Sequence, residues 1–183
     1  MDLPLAWIDL EMTGLDPEKH VIVEIAVIIT DGSLEETIEG PDLVLRADET
    51  ALEKMAPVVR EMHRTSGLTE AIRKSPISVD EAERLVLEFV QEYVPEPGQA
   101  PLAGNSVHAD RAFLRKHMPA LEEWFHYRNV DVSTVKELAR RWYPEVLESA
   151  PAKGGGHRAL ADIRESIKEL KYYREAIFKA VGE

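Results

Sequence analysis

The stretch Leu5 to Asp16, LAWIDLEMTGLD, decides the fold and contains the first candidate site. Its first half alternates in the way that predicts a β-strand, which places Asp9 and Glu11 on one face and Ile8 on the other. Two carboxylates on a half-buried face repel each other and lose solvation unless cations neutralise them. The pair therefore indicates divalent metals, although an isolated Asp-x-Glu is more often the solvated end of a strand.

Composition limits the kind of metal site. The chain has 183 residues, no internal repeat and no cysteine. This length predicts a single domain, residues 1–183. Without thiolates, the ligands have to be carboxylate or imidazole groups, which favours Mg²⁺ or Mn²⁺. Two such ions, about 3.5–4 Å apart, activate a water molecule and stabilise the leaving oxygen of a phosphodiester.

The charge distribution argues against a protein that binds long nucleic acid through its general surface. The net charge is −12, and residues 1–100 contain 22 acidic but only 8 basic residues. Residues 101–183 contain 14 basic and 12 acidic residues, so an anionic ligand would meet mainly this half. The sequence has neither a basic leader nor a run of about 18 apolar residues, which predicts a cytoplasmic protein without a membrane span.

The predicted elements form an antiparallel meander followed by alternating strands and helices. The first strand of the meander starts at Leu5, the second spans Val21–Thr30 and the third ends near Leu45. A capping box at Ser78 and Glu81 predicts the start of a long helix. The other predicted helices span 57–63, the segment that ends before Pro119, 133–142 and the chain from 157 onward. The two later strands are predicted at 101–105 and 127–132, and 149–156 is predicted to be a flexible loop. We expect an α/β fold with a mixed five-stranded sheet and helices on both faces.

Two further acids and a histidine are candidates for the same site. Asp110 begins a helix directly after a buried strand, at the sheet edge where α/β folds bind ligands, although such an acid often only complements the helix dipole. Asp162 interrupts an apolar stripe and therefore faces inward or towards a cleft. His157 lies about 140° from Asp162 around an ideal helix, so its imidazole must extend from the preceding glycine-rich loop or from the first turn of the helix. A movable imidazole there is a candidate general base.

The residues in these segments resemble three motifs of a known enzyme superfamily. WIDLEMTGLD, GNSVHADRAFL and HRALADIRESIKEL are similar in order and spacing to the motifs of the DEDDh 3′-to-5′ exonucleases. Within them the chain most resembles the oligoribonucleases, through WIDLEMTGL, the EMH at residues 61–63 and YRNVDVSTVKELARRWYP at 127–144. The resemblance covers nearly the whole chain and implies a ribonuclease H-like fold.

The resemblance also implies an activity and a role for individual residues. It implies that very short oligoribonucleotides, chiefly dinucleotides, are degraded to 5′-mononucleotides at a two-metal site. Metal ligands would be Asp9, Glu11, Asp110 and Asp162, and His157 would accept a proton from the attacking water. The implied substrate contacts are Leu15 as an apolar wedge between the bases, His63 and Ser106 along the substrate, and Tyr127, Arg128 and Ser133 from the second subunit of a homodimer.

Two other functions remain open at this point. A proofreading or DNA-repair exonuclease of the same superfamily would share the five chemical residues but not the stretch around Tyr127. A noncatalytic nucleotide-binding module would have lost one of the acids or the histidine, and none is lost here. The aromatic side chains of Trp124, Phe125 and Tyr127 also suggest a subunit interface, unless they pack in the edge of the core.

Overall fold

The strand that contains Asp9 and Glu11 lies at the centre of the sheet in a computed structural model that describes residues 1–151 and 154–178. The strands are β1 (Leu5–Met12), β2 (Ile22–Thr30), β3 (Thr37–Val44), β4 (Pro101–Gly104) and β5 (His126–Asp131). Their order is β3-β2-β1-β4-β5. β1, β2 and β3 pair antiparallel, whereas β4 runs parallel to β1 and to β5. The mixed five-stranded sheet and its initial meander are therefore confirmed.

Helices connect and cover these strands. Within the described residues they are α1 (Glu49–Glu53), α2 (Pro57–Thr65), α3 (Leu68–Lys74), α4 (Val79–Tyr93), α5 (Val107–His117), α6 (Pro119–Trp124), α7 (Val132–Trp142), α8 (Pro144–Glu148) and α9 (Ala159–Ile177). The capping box holds, because Ser78 accepts a hydrogen bond from the Glu81 amide at 3.2 Å. In this part of the chain no helix has the length and apolar content needed to cross a lipid bilayer.

Some boundaries differ from the prediction for local reasons. Gly67 adopts a left-handed φ of 77° and begins α3, a helix that the sequence analysis missed along with the short α1, α6 and α8. α7 begins one residue earlier than predicted, because Asp131 accepts a hydrogen bond from the Ser133 amide at 2.9 Å and caps the helix. α9 begins at Ala159, two residues later than predicted, since His157 has a left-handed φ of 45°.

The alternation in β1 divides the core into two layers. Ile8 and Leu10 pack into the layer formed with α4, α5 and α6, whereas Trp7 packs into the layer formed with α7 and α9. Asp9 and Glu11 share the face of Trp7, and α9 packs across β1 and β2 on that side. The fold thus brings the N-terminal end of α9 towards the carboxylates of β1. The predicted loop 149–156 includes Ala152 and Lys153, which lie outside the described residues.

Candidate active site

Four acids from three elements meet at one edge of the sheet. β1 contributes Asp9 and Glu11, and Asp110 and Asp162 lie in the first turns of α5 and α9. Asp110 is anchored to β1, because its Oδ1 accepts a hydrogen bond of 3.0 Å from the Leu10 amide. The fold therefore brings together the four acids that the sequence analysis assigned to one site.

His157 belongs to the same cluster. One imidazole nitrogen of His157 and carboxylate oxygens of Glu11 and Asp162 all lie within 4.8 Å of one another. His157 precedes α9 and is exposed, whereas Glu11 is buried. Of the two predicted positions for the imidazole, the loop and the first turn of the helix, the structure has the loop, since α9 begins at Ala159.

The pKa values of these acids report how closely the carboxylates are packed. Burial raises the pKa of Glu11 to about 8, and the charges of Asp162, Glu24 and Asp110 add to this effect. The pKa of Asp9 is raised by burial first and then by Asp110, Asp162 and Glu11. Burial also raises the pKa of Asp110. Without cations, these groups therefore bind protons near neutral pH.

The donor set fits divalent cations. Carboxylate oxygens are the preferred ligands of hard cations such as Mg²⁺ and Mn²⁺, and a cation removes the repulsion that holds protons on the acids. The chain offers carboxylate oxygens from three different elements around one small volume, with an imidazole at its edge. The site is thus suited to the use of divalent metals.

His63 lies behind Glu11, on the side of the site that faces the protein interior. It lies in α2 and is fully buried, with Nε2 2.8 Å from the carbonyl oxygen of Met12 and Nδ1 3.8 Å from Oε2 of Glu11. Burial lowers the pKa of His63, so the ring is neutral and Nε2 donates to Met12. Nδ1 has no hydrogen-bond partner among residues 1–151 and 154–178. It is an acceptor directed at the carboxylate cluster.

Glu24 and Arg158 are site residues that the sequence analysis missed. Glu24 is fully buried in β2, and Arg158 Nε lies 2.7 Å from its Oε1. The signal was present in the sequence, because Glu24 is the one charged residue in the apolar run VIVEIAVIIT. A buried acid in a central strand needs a cation, and that requirement could have indicated a partner.

Leu15 projects from a firmly held loop between β1 and β2. Its side chain is 82% exposed. The loop is tied to the C-terminal end of α5, because Lys116 forms a 2.7 Å ion pair with Glu18 and His117 Nε2 lies 3.0 Å from the Pro17 carbonyl oxygen. An exposed leucine on a loop with such restraints is available to contact a ligand.

Ser106 and Ser133 lie next to each other at the same edge of the sheet. Their hydroxyl oxygens are 3.2 Å apart, and Ser133 donates a hydrogen bond of 3.0 Å to the Asn105 side chain. Asp131 joins the two residues, since its Oδ1 accepts hydrogen bonds from both amides at 3.0 and 2.9 Å. The structure thus brings Ser106 and Ser133 of one chain together, whereas the resemblance implied that Ser133 comes from the second subunit. Asn105 and Asp131, which hold them, were not predicted.

Tyr127 and Arg128 lie on the outer strand β5, which is two strands, or roughly 10 Å, from β1. Both are exposed, and the Arg128 guanidinium lies 5.3 Å from the centre of the Tyr127 ring. The structure does not place this pair at the carboxylate cluster of the same chain. Phe125 is buried in the core and Trp124 is half-buried, with Nε1 donating to the Val94 carbonyl at 2.9 Å, so Tyr127 is the most exposed of the three aromatic residues.

Comparisons with known proteins show which family the chain resembles. A family model described as "Exonuclease" matches residues 6–170. The oligoribonuclease of Corynebacterium glutamicum is 56% identical over 176 residues, 96% of this chain and 80% of that protein. The Vibrio parahaemolyticus oligoribonuclease is 56% identical over 97% of each chain. The mitochondrial oligoribonuclease of Mus musculus is 54% identical over 96% of this chain and 73% of its own.

Solved structures of exonuclease I share the fold. The enzyme from Methylocaldum szegediense superimposes with a TM-score of 0.62 at 22% identity, over 96% of this chain and 41% of its own. The zinc-bound E. coli enzyme in complex with single-stranded DNA gives a TM-score of 0.67 at 16% identity, over 97% of this chain and 41% of its own. This chain thus spans about two fifths of the length of those enzymes, and the likeness concerns the fold alone. With its family match and its close full-length relatives, the chain belongs to the exonucleases and, within them, to the oligoribonucleases.

Proposed function

We propose that the chain hydrolyses very short oligoribonucleotides, chiefly dinucleotides, from the 3′ end and releases 5′-mononucleotides. The observation that supports this most strongly is the cluster of four acids and one imidazole, in a chain 50–56% identical to oligoribonucleases. The DNA exonuclease alternative is not favoured, because the exonuclease I enzymes are only 16–22% identical. We further propose a single exonuclease domain, residues 1–183, that works in the cytoplasm.

The metal ligands in this proposal are Asp9, Glu11, Asp110 and Asp162. Two Mg²⁺ or Mn²⁺ ions, when bound, supply charge that lowers the pKa of the attacking water and stabilises the leaving oxygen. The hydrogen bond from the Leu10 amide orients the Asp110 carboxylate. His63 packs behind Glu11 from the protein side, with Nδ1 3.8 Å from Oε2 of that carboxylate.

His157 is the proposed general base. An imidazole nitrogen accepts a proton from the water as the water oxygen bonds to phosphorus, and the bond from phosphorus to the 3′ oxygen of the preceding nucleotide breaks. That 3′ oxygen leaves with a proton as a hydroxyl group. The exposed position of His157 beside buried Glu11 suits a group that exchanges protons with solvent between turnovers.

The preference for two nucleotides follows from charge and from the exposed leucine. Beyond the scissile phosphate, further phosphates meet a surface in which acidic residues outnumber basic ones, so added nucleotides contribute little binding. Leu15 separates the two bases by apolar contact, which does not depend on base identity. The contacts of Lys116 and His117 of α5 with this loop keep Leu15 in place.

We propose that a homodimer completes the site at the 5′ phosphate. Ser106 and Ser133 present adjacent hydroxyl groups to that phosphate. Tyr127 and Arg128 are too far along the sheet to serve their own cluster, and their exposure on the outer strand suits a contribution to the site of a second subunit. A guanidinium group can bind a terminal phosphate with two parallel hydrogen bonds.

The decisive experiment is turnover on a length series of 5′-phosphorylated RNAs, with and without Mg²⁺. We expect kcat/KM to be highest for dinucleotides, nearly independent of base, and to fall by about tenfold or more at three or four nucleotides, since extra phosphates gain no basic contacts. Matched DNA dinucleotides serve as the control for sugar selectivity. Efficiency that stays level or rises with length would contradict the proposal, because it would require an open 5′ end.

A further inference from the structure

Glu24 is a fifth acid on the face of the sheet that contains the site. In the antiparallel ladder of β1 and β2 it lies directly opposite Glu11, so the two side chains project to the same side. Glu24 has no solvent exposure, and its charge raises the pKa values of both Asp9 and Glu11. A buried carboxylate beside two others requires strong compensation.

Arg158 and the start of α9 supply that compensation. Oε1 of Glu24 lies 2.7 Å from Nε and 2.6 Å from the terminal nitrogen NH2 of Arg158. Oε2 accepts a hydrogen bond of 3.2 Å from the amide of Ala159, the first residue of α9. Arg158 occupies the N-cap position and makes no side-chain cap, so Glu24 provides the cap from a neighbouring strand.

His157 depends on this anchor for its position. It has a left-handed φ of 45°, a conformation that the surrounding structure has to enforce in a residue other than glycine. Three glycines, Gly154 to Gly156, precede it, and Gly154 is held by α9, because its amide donates a hydrogen bond of 2.8 Å to Glu165 Oε1. Gly155 and Gly156 separate that contact from His157 and restrict the backbone very little. The nearest restraint on the imidazole therefore comes from its C-terminal neighbours, Arg158 and Ala159.

We propose that Glu24, through Arg158, is the positioning residue that holds His157 over the carboxylate cluster. The proposal rests on the proposed role of His157 as general base. Both oxygens of Glu24 are engaged by Arg158 and Ala159, so Glu24 acts through α9 and is not itself assigned as a metal ligand.

α9 contains a matched control for this pair. Glu39 of β3 binds Arg164, two residues beyond Asp162, through two hydrogen bonds of 2.7 Å. This pair also joins the meander to α9, but it is exposed and does not adjoin His157. If Glu24 merely tethered the helix, Glu24→Gln and Glu39→Gln would have comparable effects on turnover.

A double-mutant cycle tests the catalytic part of the proposal. We expect Glu24→Gln to lower kcat on a 5′-phosphorylated dinucleotide by about 10–100-fold with KM nearly unchanged, the scale of a misplaced catalytic group, and Glu39→Gln to leave kcat within about twofold. In a His157→Ala background, Glu24→Gln should not lower kcat any further. Losses that multiply in the double variant would overturn the positioning role.

Amide exchange of the metal-free protein tests the anchor without catalysis. Glu24→Gln should speed exchange of the Ala159 amide by about tenfold or more while β1 and β2 stay protected, because only the helix start opens. An unchanged exchange rate would overturn the positioning role alone. A His157→Ala variant with native kcat would instead overturn the proposed base, so the two failures are distinct.

A double variant that removes both charges of the Glu24–Arg158 pair controls for a folding defect. If Glu24→Gln alone unfolds the protein through the unpaired Arg158, the double variant Glu24→Gln with Arg158→Gln leaves no unpaired charge. We expect this variant to fold, to keep dinucleotide KM and to show the same 10–100-fold loss of kcat as a displaced base. Native kcat in the folded double variant would overturn the proposal.

Discussion

Asp110 accepts a hydrogen bond of 3.0 Å from the amide of Leu10, a residue one hundred positions earlier in the chain. Leu10 lies between Asp9 and Glu11, so this bond fixes a carboxylate of α5 against the strand that presents two others. The bond is made by the backbone of β1 and does not itself involve a cation. A carboxylate held in this way needs little reorganisation to act as a metal ligand.

Removal of any one metal ligand should abolish most of the activity without unfolding the chain. We expect Asp9→Ala, Glu11→Ala, Asp110→Ala and Asp162→Ala each to lower kcat by several orders of magnitude, because charge stabilisation in the transition state depends on the metals. Circular dichroism checks the fold, and the exposed Glu123→Ala serves as the control for loss of an acid. Near-native turnover of a variant in Mg²⁺ would exclude that residue as a ligand.

Loss of the imidazole should have a smaller effect than loss of a metal ligand. For His157→Ala we expect kcat to fall by about 10²–10⁴, the range of a general base. Since His157 also lies within 4.8 Å of the oxygens of Glu11 and Asp162, titration calorimetry with Mn²⁺ separates the two possible roles. Unchanged Mn²⁺ affinity supports a base, and a large loss of affinity would make His157 a ligand.

The metal-free protein should become less stable as the pH rises from about 4.5 to 8. In the folded state the pKa of Glu11 is about 8 against an ordinary 4.5, so the folded chain binds more protons than the unfolded chain in this window. Stability is therefore fully present at the acid end and is lost as the pH rises through the folded pKa. A loss of only about 2 kcal/mol lowers Tm by about 4–8 °C in a chain of this size.

Divalent cations should reverse this trend, because they bind the deprotonated carboxylates of the folded state. Differential scanning calorimetry at pH 5 and pH 8, with Mg²⁺ or with EDTA, measures both effects. A Tm in EDTA that increases from pH 5 to pH 8 would show that the carboxylates are solvated and not packed together. Asp9→Asn should flatten the pH dependence, since the pKa of Asp9 is also raised by burial.

The preference for two nucleotides should depend on Arg128. We expect Arg128→Ala to weaken binding of a 5′-phosphorylated dinucleotide by about 1.5–3 kcal/mol, the value of a charged hydrogen-bonding pair, and to remove most of the preference over four nucleotides. Arg84→Ala, which removes an exposed arginine paired with Glu88 on α4, is the matched control. An intact length preference in Arg128→Ala would exclude this guanidinium from the 5′ end.

Subunit mixing tests whether Arg128 acts across a dimer. Asp9→Ala and Arg128→Ala chains are each impaired alone, but a mixed dimer contains one composite site with both groups intact. Mixing equal amounts should restore activity towards about one quarter of native sites, as expected for random pairing of symmetric subunits. A monomer in light scattering, or a mixture no more active than its components, would contradict the shared site.

The sequence alone predicted those features of the site that depend on the geometry of a single strand or helix. The alternation of β1 predicted the common face of Asp9 and Glu11, and the offset of His157 from Asp162 predicted an imidazole outside the helix. Local patterns of this kind depend only on the geometry of a strand or a helix.

What remained hidden depends on partners far away in the chain. Glu24 is an acid in an apolar strand whose partner, Arg158, lies 134 residues later. His63 was expected along the substrate through the resemblance alone, and the local sequence gave no sign that packing of α2 buries it behind Glu11. Phe125 was interpreted as an interface residue together with Tyr127, but it packs in the core. Tertiary packing decides such cases, and the local sequence does not encode it.

The division of the site between the two ends of the chain also affects how the protein is made. Asp9 and Glu11 leave the ribosome about a hundred residues before Asp110, and the meander that contains them can form while synthesis continues. Within the meander the repulsion is limited to that among Asp9, Glu11 and Glu24, and the charges of Asp110 and Asp162 are added only when α5 and α9 dock. Those added charges oppose the late assembly step, and divalent cations that bind the carboxylates would favour folding at that step.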